Sequence, residues 1–222
     1  QKIHETGVPT IVVLVGGRPL SVNWIAQNVQ ALVQAWEPGS LGGRALANIL
    51  AGKVNPSAKL PISIPRHSGQ IQMIYNHKPS QYFHKYIDGP STPLYPFGFG
   101  LSYTRFAYSS LKLSHTRISD KDSFTASIEL TNVGDREGTE VVQLYIRDIY
   151  SSATRPVKEL KDFARVTLKP GEKKTVTFTV TPDKLAYWNR NMQYGVEKGE
   201  FEIMIGSSSQ DKDLKKVKME VL

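Results

Sequence analysis

The stretch PLYPFGFGLSYT, residues 93–104, decides how the chain is divided. Tyr95, Phe97 and Phe99 alternate with Pro96, Gly98 and Gly100, so bulky anchors sit on backbone that must turn sharply or approach another surface closely. A flexible linker would be rich in Gly and Ser and poor in aromatics. Here every second side chain can be buried, which predicts a packed connector that fixes the angle between two differently patterned halves.

Upstream of the connector the pattern is that of an α/β unit. Gln1 opens in what reads as the end of a helix, with Gly7 as its C-cap and Pro9 as a stop signal, so the natural chain is expected to begin earlier. Residues 10–15 (TIVVLV) form a continuous β-branched run, the signature of a strand buried on both faces of a parallel sheet. A second short apolar segment covers 31–36, and 41–50 has helical periodicity through Leu41, Ala45, Leu46, Ile49 and Leu50. The expected order is helix, strand, strand, helix, strand. The last strand is KLPISIP, 59–65, whose alternating Leu60, Ile62 and Ile64 suit an edge position because of its prolines. From 69 to 93 periodicity is lost, and an ordered loop of that length is usually functional.

Downstream, seven short strands are expected at 111–114, 123–131, 140–147, 163–168, 174–180, 200–205 and 216–222. Asn132-Val133-Gly134-Asp135, Lys169-Pro170-Gly171-Glu172 and Lys198-Gly199 punctuate them as turns. This spacing predicts an immunoglobulin-like β-sandwich, of fibronectin type III character because a Cys…Trp…Cys pattern is missing. The fold class is therefore α/β plus all-β: a partial α/β sandwich domain at 1–92, an aromatic connector at 93–106 and a β-sandwich at 107–222.

Composition narrows the function. At 222 residues, 40% hydrophobic and 22% charged, the chain has ordinary globular values, which exclude wholesale disorder. The longest apolar run, 11–15, is too short to span a bilayer, so no membrane role is expected. The net charge of +8 is scattered, and its one cluster, 212–218, alternates as the solvated face of a final strand. Nucleic-acid binding is not expected. The lack of cysteine excludes disulfides and a thiolate nucleophile, and Pro56 blocks the glycosylation sequon at Asn55.

Few motifs carry chemistry. Gly39, Gly42 and Gly43 have neither P-loop nor dinucleotide spacing, the five histidines lack metal-ligand spacing, and Ser207-Ser208-Ser209 reads as a polar strand end. Glu37, before a Gly-rich helix entry, is the most tempting carboxylate. The richest stretch is the long loop, where Tyr75, Tyr82, Phe83 and Tyr86 stand beside Asn76, His77, Lys78, His84 and Asp88. Aromatic faces and polar groups together suit a sugar ring. The same aromatics could equally anchor the loop.

Several longer motifs resemble one family. Trp36-Glu37-Pro38-Gly39 through Gly43, Asn55 through Pro61, the connector itself, Thr131-Asn132-Val133-Gly134 through Tyr145, and Arg155 through Leu160 are similar to the C-terminal portion of glycoside hydrolase family 3, the β-glucosidases and related exo-acting enzymes. The resemblance covers essentially the whole chain. Ala58 and Asp162 replace the family's usual glycines, and Phe99 replaces its usual tyrosine. The resemblance implies an N-terminal barrel with an aspartate nucleophile, an α/β sandwich with a glutamate acid/base, and a fibronectin type III-like domain. Retaining hydrolysis needs two carboxyl groups roughly 5 Å apart across the glycosidic bond. By the resemblance neither falls within this chain, and Glu37 becomes a turn position. The chain alone is expected to be inactive, with no catalytic residue and no cofactor. Its parent is expected to pack this portion on the barrel, hydrolyse β-glucosides or oligosaccharides, reside in the periplasm or outside the cell, and form a homodimer in some cases. Asn76, His77, Lys78, Tyr82, Phe83, His84, Tyr86 and Asp88 are the expected substrate-proximal residues. The alternative is a non-catalytic carbohydrate-binding or scaffolding module.

Overall fold

A computed structural model describes residues 1–70, 73–79 and 89–222. The first half opens with a 3₁₀ turn, His4–Thr6, closed by Gly7, followed by β1 (Ile11–Val15), α1 (Asn23–Asn28), β2 (Ala31–Trp36) and α2 (Gly42–Leu50). β1 and β2 pair in parallel, Ile11 opposite Ala31 through Leu14 opposite Gln34. Parallel strands need a crossover, and α1 is part of it. That helix was not expected, because its six residues are too few for a periodic signal.

Two other expectations need correction. β1 is not buried on both faces: Ile11 and Val15 are more than half exposed, since the described residues put no second layer over its ends. KLPISIP forms an isolated bridge, Ile64 to Tyr95, in place of a strand. Pro61 and Pro65 have no N–H to continue a ladder. Even so, Leu60 N–H donates to Phe99 O (2.8 Å), Gly98 N–H to Leu60 O (2.8 Å) and Ile64 N–H to Tyr95 O (2.8 Å), so the segment runs alongside the connector.

The second half is a two-sheet sandwich. Its strands are β3 (Phe106–Tyr108), β4 (Lys112–Leu113), β5 (Arg117–Ile118), β6 (Phe124–Asn132), β7 (Gly138–Asp148), β8 (Glu159–Leu168), β9 (Lys173–Val180), β10 (Tyr187–Trp188), β11 (Tyr194–Gly195), β12 (Gly199–Gly206) and β13 (Leu214–Val221), with a one-turn helix α3 (Pro182–Leu185) after β9. All seven expected strands are present. One sheet has the order β5-β13-β12-β7-β8; the other has β3-β6-β4, with β9 also pairing β6, and β10 and β11 form a separate hairpin.

Alternation builds the core. Phe124, Ala126, Ile128 and Leu130 of β6 point inward with Val176, Phe178 and Val180 of β9, while Thr125, Ser127 and Glu129 face out. They meet Val142, Leu144 and Ile146 of β7 and Phe201, Ile203 and Ile205 of β12. β7 departs from alternation, for its outward residues Gln143 and Tyr145 are buried as well. Tyr145, Met204 and Leu214 form a second apolar cluster with Tyr75, Phe97 and Leu160 packed on it. The centre of this sheet's outer face is thus covered by the first half of the chain. The basic stretch behaves as expected: Lys218 pairs with Glu200 at 3.2 Å and Lys216 with Asp211 at 2.9 Å on the open face of β13.

Candidate functional site

The motif-bearing segments converge on the seam between the two halves. Asn55 spans it: Nδ2 donates to Glu137 O (3.0 Å), while Oδ1 accepts from Ser102 Oγ and from Tyr103 N–H, both at 2.8 Å. Lys59 Nζ lies 2.8 Å from Glu140 Oε1, with both side chains largely buried. Thr104 Oγ1 donates to Asn132 Oδ1 at 2.7 Å, and Asn132 Nδ2 holds Arg136 O (2.7 Å) and Leu168 O (2.9 Å). Ser57 Oγ accepts from Arg165 at 3.1 Å.

The connector closes the seam from the side. Gly98 has φ 78°, a left-handed conformation, and a Cβ there would come within 2.1 Å of Gln143 Oε1. Only glycine lets the backbone approach that closely. Gln143 Nε2 donates to Gly98 O (3.1 Å) and Ser207 O (2.7 Å), and its Oε1 accepts from Tyr145 O–H at 2.5 Å. Burial pushes the Tyr145 hydroxyl well above its ordinary range, so it stays protonated as that donor. Phe97 O accepts from Ser209 N–H at 3.0 Å, and Lys158 Nζ donates to Ser209 O at 2.9 Å, which gives the serine run a structural place. These groups satisfy one another, so the seam positions its neighbours.

What it positions is the root of the long loop. Tyr75 stacks on Phe97 with ring centres 4.1 Å apart and 13° between planes, meets Tyr145 edge-on at 5.9 Å, and its oxygen accepts from Leu160 N–H at 3.1 Å. The two readings of Tyr75 therefore resolve to anchoring. Burial raises its hydroxyl above the ordinary range, which keeps it neutral. The carbonyl of His77 accepts from Val157 N–H (2.9 Å), while its Nδ1 lies 2.8 Å from Lys78 O. Asn76 and His77 are half-buried and Lys78 is exposed. Tyr82, Phe83, His84, Tyr86 and Asp88 lie outside the described residues. Beside the root a cleft of about 650 Å³ has Tyr75, His77, Tyr95, Arg147 and Lys158 in its wall.

Two further carboxylates were weighed by position. Glu37 is exposed in the turn after β2, just past Trp36, whose φ of 54° is unusual for a residue with a side chain. Asp148, at the end of β7, was not singled out from sequence. Burial, opposed by the Arg155 guanidinium and reinforced by Glu197, pushes its carboxyl up to about 6. Arg155 is held by Glu159 and lies 4.6 Å over the Tyr187 ring. Among the described residues no three histidine or carboxylate side chains gather as metal ligands.

Comparison with known proteins accords with this arrangement. The model for the glycosyl hydrolase family 3 C-terminal domain matches residues 1–103, and that for the fibronectin type III-like domain matches 140–209. A periplasmic β-glucosidase of Salmonella typhimurium is 45% identical over 93% of the chain and 28% of its own length. A β-xylosidase of Formosa agariphila is 46% identical over 100% of the chain and 31% of its own. The solved structure of a β-glucosidase from Erythrobacter marinus superposes with a TM-score of 0.94 at 43% identity, over 99% of the chain and 29% of that protein. A Listeria innocua β-glucosidase in complex with glucose gives 0.91 at 36% identity, over 99% of the chain and 32% of that protein. The chain thus spans about three-tenths of the length of the relatives it matches. With both of its halves matched in order and joined through the very residues that carry the motifs, the chain belongs to glycoside hydrolase family 3, as that family's C-terminal α/β domain and fibronectin type III-like domain.

Proposed function

We propose that the chain is the C-terminal portion of an exo-acting, retaining β-glycosidase, most closely a β-glucosidase, that removes terminal β-linked sugars from oligosaccharides or glycosides. The observation that supports this best is the superposition of 99% of the chain on a β-glucosidase at 43% identity. The nucleophile lies on an N-terminal barrel of the parent protein, against which this portion packs, and the acid/base lies in the part of the α/β sandwich domain that precedes residue 1. The two carboxyl groups work through a glycosyl-enzyme intermediate and need no cofactor. The name of the Salmonella relative supports a parent located in the periplasm or outside the cell.

The portion's contribution is positional. On this reading residues 76–88 shape the leaving-group subsite, which is supported by the hold on their described root through the Tyr75–Phe97 stack and the Val157–His77 hydrogen bond. Assaying this chain and its longer parent on aryl β-glucosides and β-xylosides tests the reading. The parent should turn over and the chain should not. Alanine at Tyr82, Phe83 or Tyr86 in the parent should raise KM or shift leaving-group preference. Activity in the short chain would overturn the placement of the carboxylates. Unchanged kinetics for all three variants would remove the loop from the subsite, and glycan binding without turnover by the parent would favour a non-catalytic module.

A further inference from the structure

The hairpin of β10 and β11 sits at the end of the sandwich remote from Asn55 and Lys59. β7 links the two places: residues near its start meet Asn55 and Lys59, and its last residue, Asp148, pairs with Phe201. Just beyond that end, Ser152 Oγ lies 3.1 Å from Tyr187 O–H and donates to Glu197 at 2.6 Å, beneath the hairpin. At about 3.3 Å per residue the strand puts roughly 30 Å between Asp148 and the Asn55 end of the seam.

Strand alternation turns Tyr187 inward, 4% exposed, and Trp188 outward, 61% exposed. Leu185, Ala186 and Tyr187 fasten the hairpin from below, all buried. Its tip is locked. Asn189 N–H donates to Gln193 O and Met192 N–H to Asn189 O, both at 3.0 Å. Asn189 Oδ1 accepts from Asn191 N–H (2.9 Å) and Gln193 N–H (3.1 Å). On this rigid base Trp188 and Tyr194 stand opposite each other across the strands, ring centres 5.4 Å apart and tilted by 51°. Tyr194 is more than half exposed and Met192 more so. The core gains little from an indole left in water, although burying it would be favourable.

We propose that this hairpin is a binding platform for a neutral, soluble β-linked glycan chain. Pyranose rings present C–H faces that stack on aromatic rings, and Asn191 and Gln193, in the turn that joins Trp188 to Tyr194, carry amides able to bond sugar hydroxyls. The charge pattern selects neutral polymers, since Arg190 is the only charged side chain between 187 and 195. The tilt between the rings selects shape: a flat crystalline surface reaches one ring, whereas a chain that twists from residue to residue reaches both. This inference does not depend on the parent being a hydrolase.

Affinity electrophoresis of this chain in gels containing mixed-linkage β-glucan or xylan, with cellulose pull-down alongside, tests the platform. Soluble glycan should retard the chain and crystalline cellulose should not deplete it. Trp188→Ala and Tyr194→Ala should each weaken binding about tenfold without changing Tm, while Arg190→Gln should leave it intact. The glycan-induced shift of tryptophan emission should vanish in Trp188→Ala, although Trp24 and Trp36 remain. The proposal is overturned by a chain that neither glycan retards, by retardation that survives Trp188→Ala, by binding to heparin alone, or by a dimer of the chain that Trp188→Ala dissolves with no glycan binding.

Discussion

Replacing Gly98 by alanine tests the seam most directly. The residue combines a φ of 78° with a methyl position 2.1 Å from Gln143 Oε1 and 3.0 Å from the Tyr145 hydroxyl. A left-handed conformation costs an L-residue about 1–2 kcal/mol. Moving the amide aside would also break its hydrogen bonds to Gly98 O and Ser207 O and strand the buried Tyr145 hydroxyl, at about 1 kcal/mol or more for each group left unsatisfied. The expected loss is about 4–5 kcal/mol, which for a chain of this size lowers Tm by about 10–15 °C. Gly171→Ala supplies the control. Gly171 has φ 75° but nothing within 4 Å of its Cβ position, so only the backbone term of about 1–2 kcal/mol applies. Urea and thermal unfolding followed by circular dichroism would measure both. Equal losses at the two positions, within about 1 kcal/mol, would refute the account of Gln143 as the obstacle.

Other perturbations probe the same construction. Asn55→Ala removes one hydrogen bond to the second half and two to the connector and should cost about 2–3 kcal/mol, with faster proteolysis after residue 104 as a second readout. Lys59→Met leaves Glu140 buried without its partner and should destabilise by about 3 kcal/mol, while Lys59→Met with Glu140→Leu should recover most of that in the same unfolding assay. Asp148 behaves in the opposite sense to most carboxylates. The folded state keeps its proton up to about pH 6 against an ordinary value of 3.8, so its cost to stability grows as pH rises through that window and is complete above it. Asp148→Asn should therefore raise stability at pH 7.5 by about 1–2 kcal/mol, allowing for solvent screening of a partly exposed group, and leave it unchanged at about pH 3, below both values, as followed by Tm.

The parts of the fold legible in the sequence are those set by local alternation. β6 and β9 read as strands because Phe124, Ala126, Ile128 and Leu130, and Val176, Phe178 and Val180, occupy every second position. KLPISIP shows the limit of that signal: its alternation is real, but two prolines leave one bridge where a strand would need a ladder. The seam was hidden for a different reason. Asn55 bonds a carbonyl 82 residues away, and read alone it is a failed glycosylation sequon. Gln143 and Tyr145 look like the wet face of β7 until the connector is laid on them. The signal that could have exposed this was the connector itself, whose Phe97 needed a partner and found Tyr75. Trp188 and Tyr194 were not singled out from sequence, because β10 and β11 are two residues each and carry no periodic signal, and their exposure follows from Tyr187 taking the inward register.

The interlocking of residues 55–60, 93–104 and 132–145 also bears on how such proteins can be rearranged. A cut after residue 104 would free a sandwich in which Asn132 and Gln143 have each lost a hydrogen-bond partner and Glu140 its ion pair, so a well-behaved expression unit must carry the connector and the Asn55 segment with it. The same holds for exchange between relatives. A sandwich transplanted onto another enzyme would bring half of each hydrogen-bonded pair, and would fit only where the recipient already supplies the other half. The unit that can be inherited or shuffled intact is therefore larger than the sandwich, and its edges lie inside the α/β half.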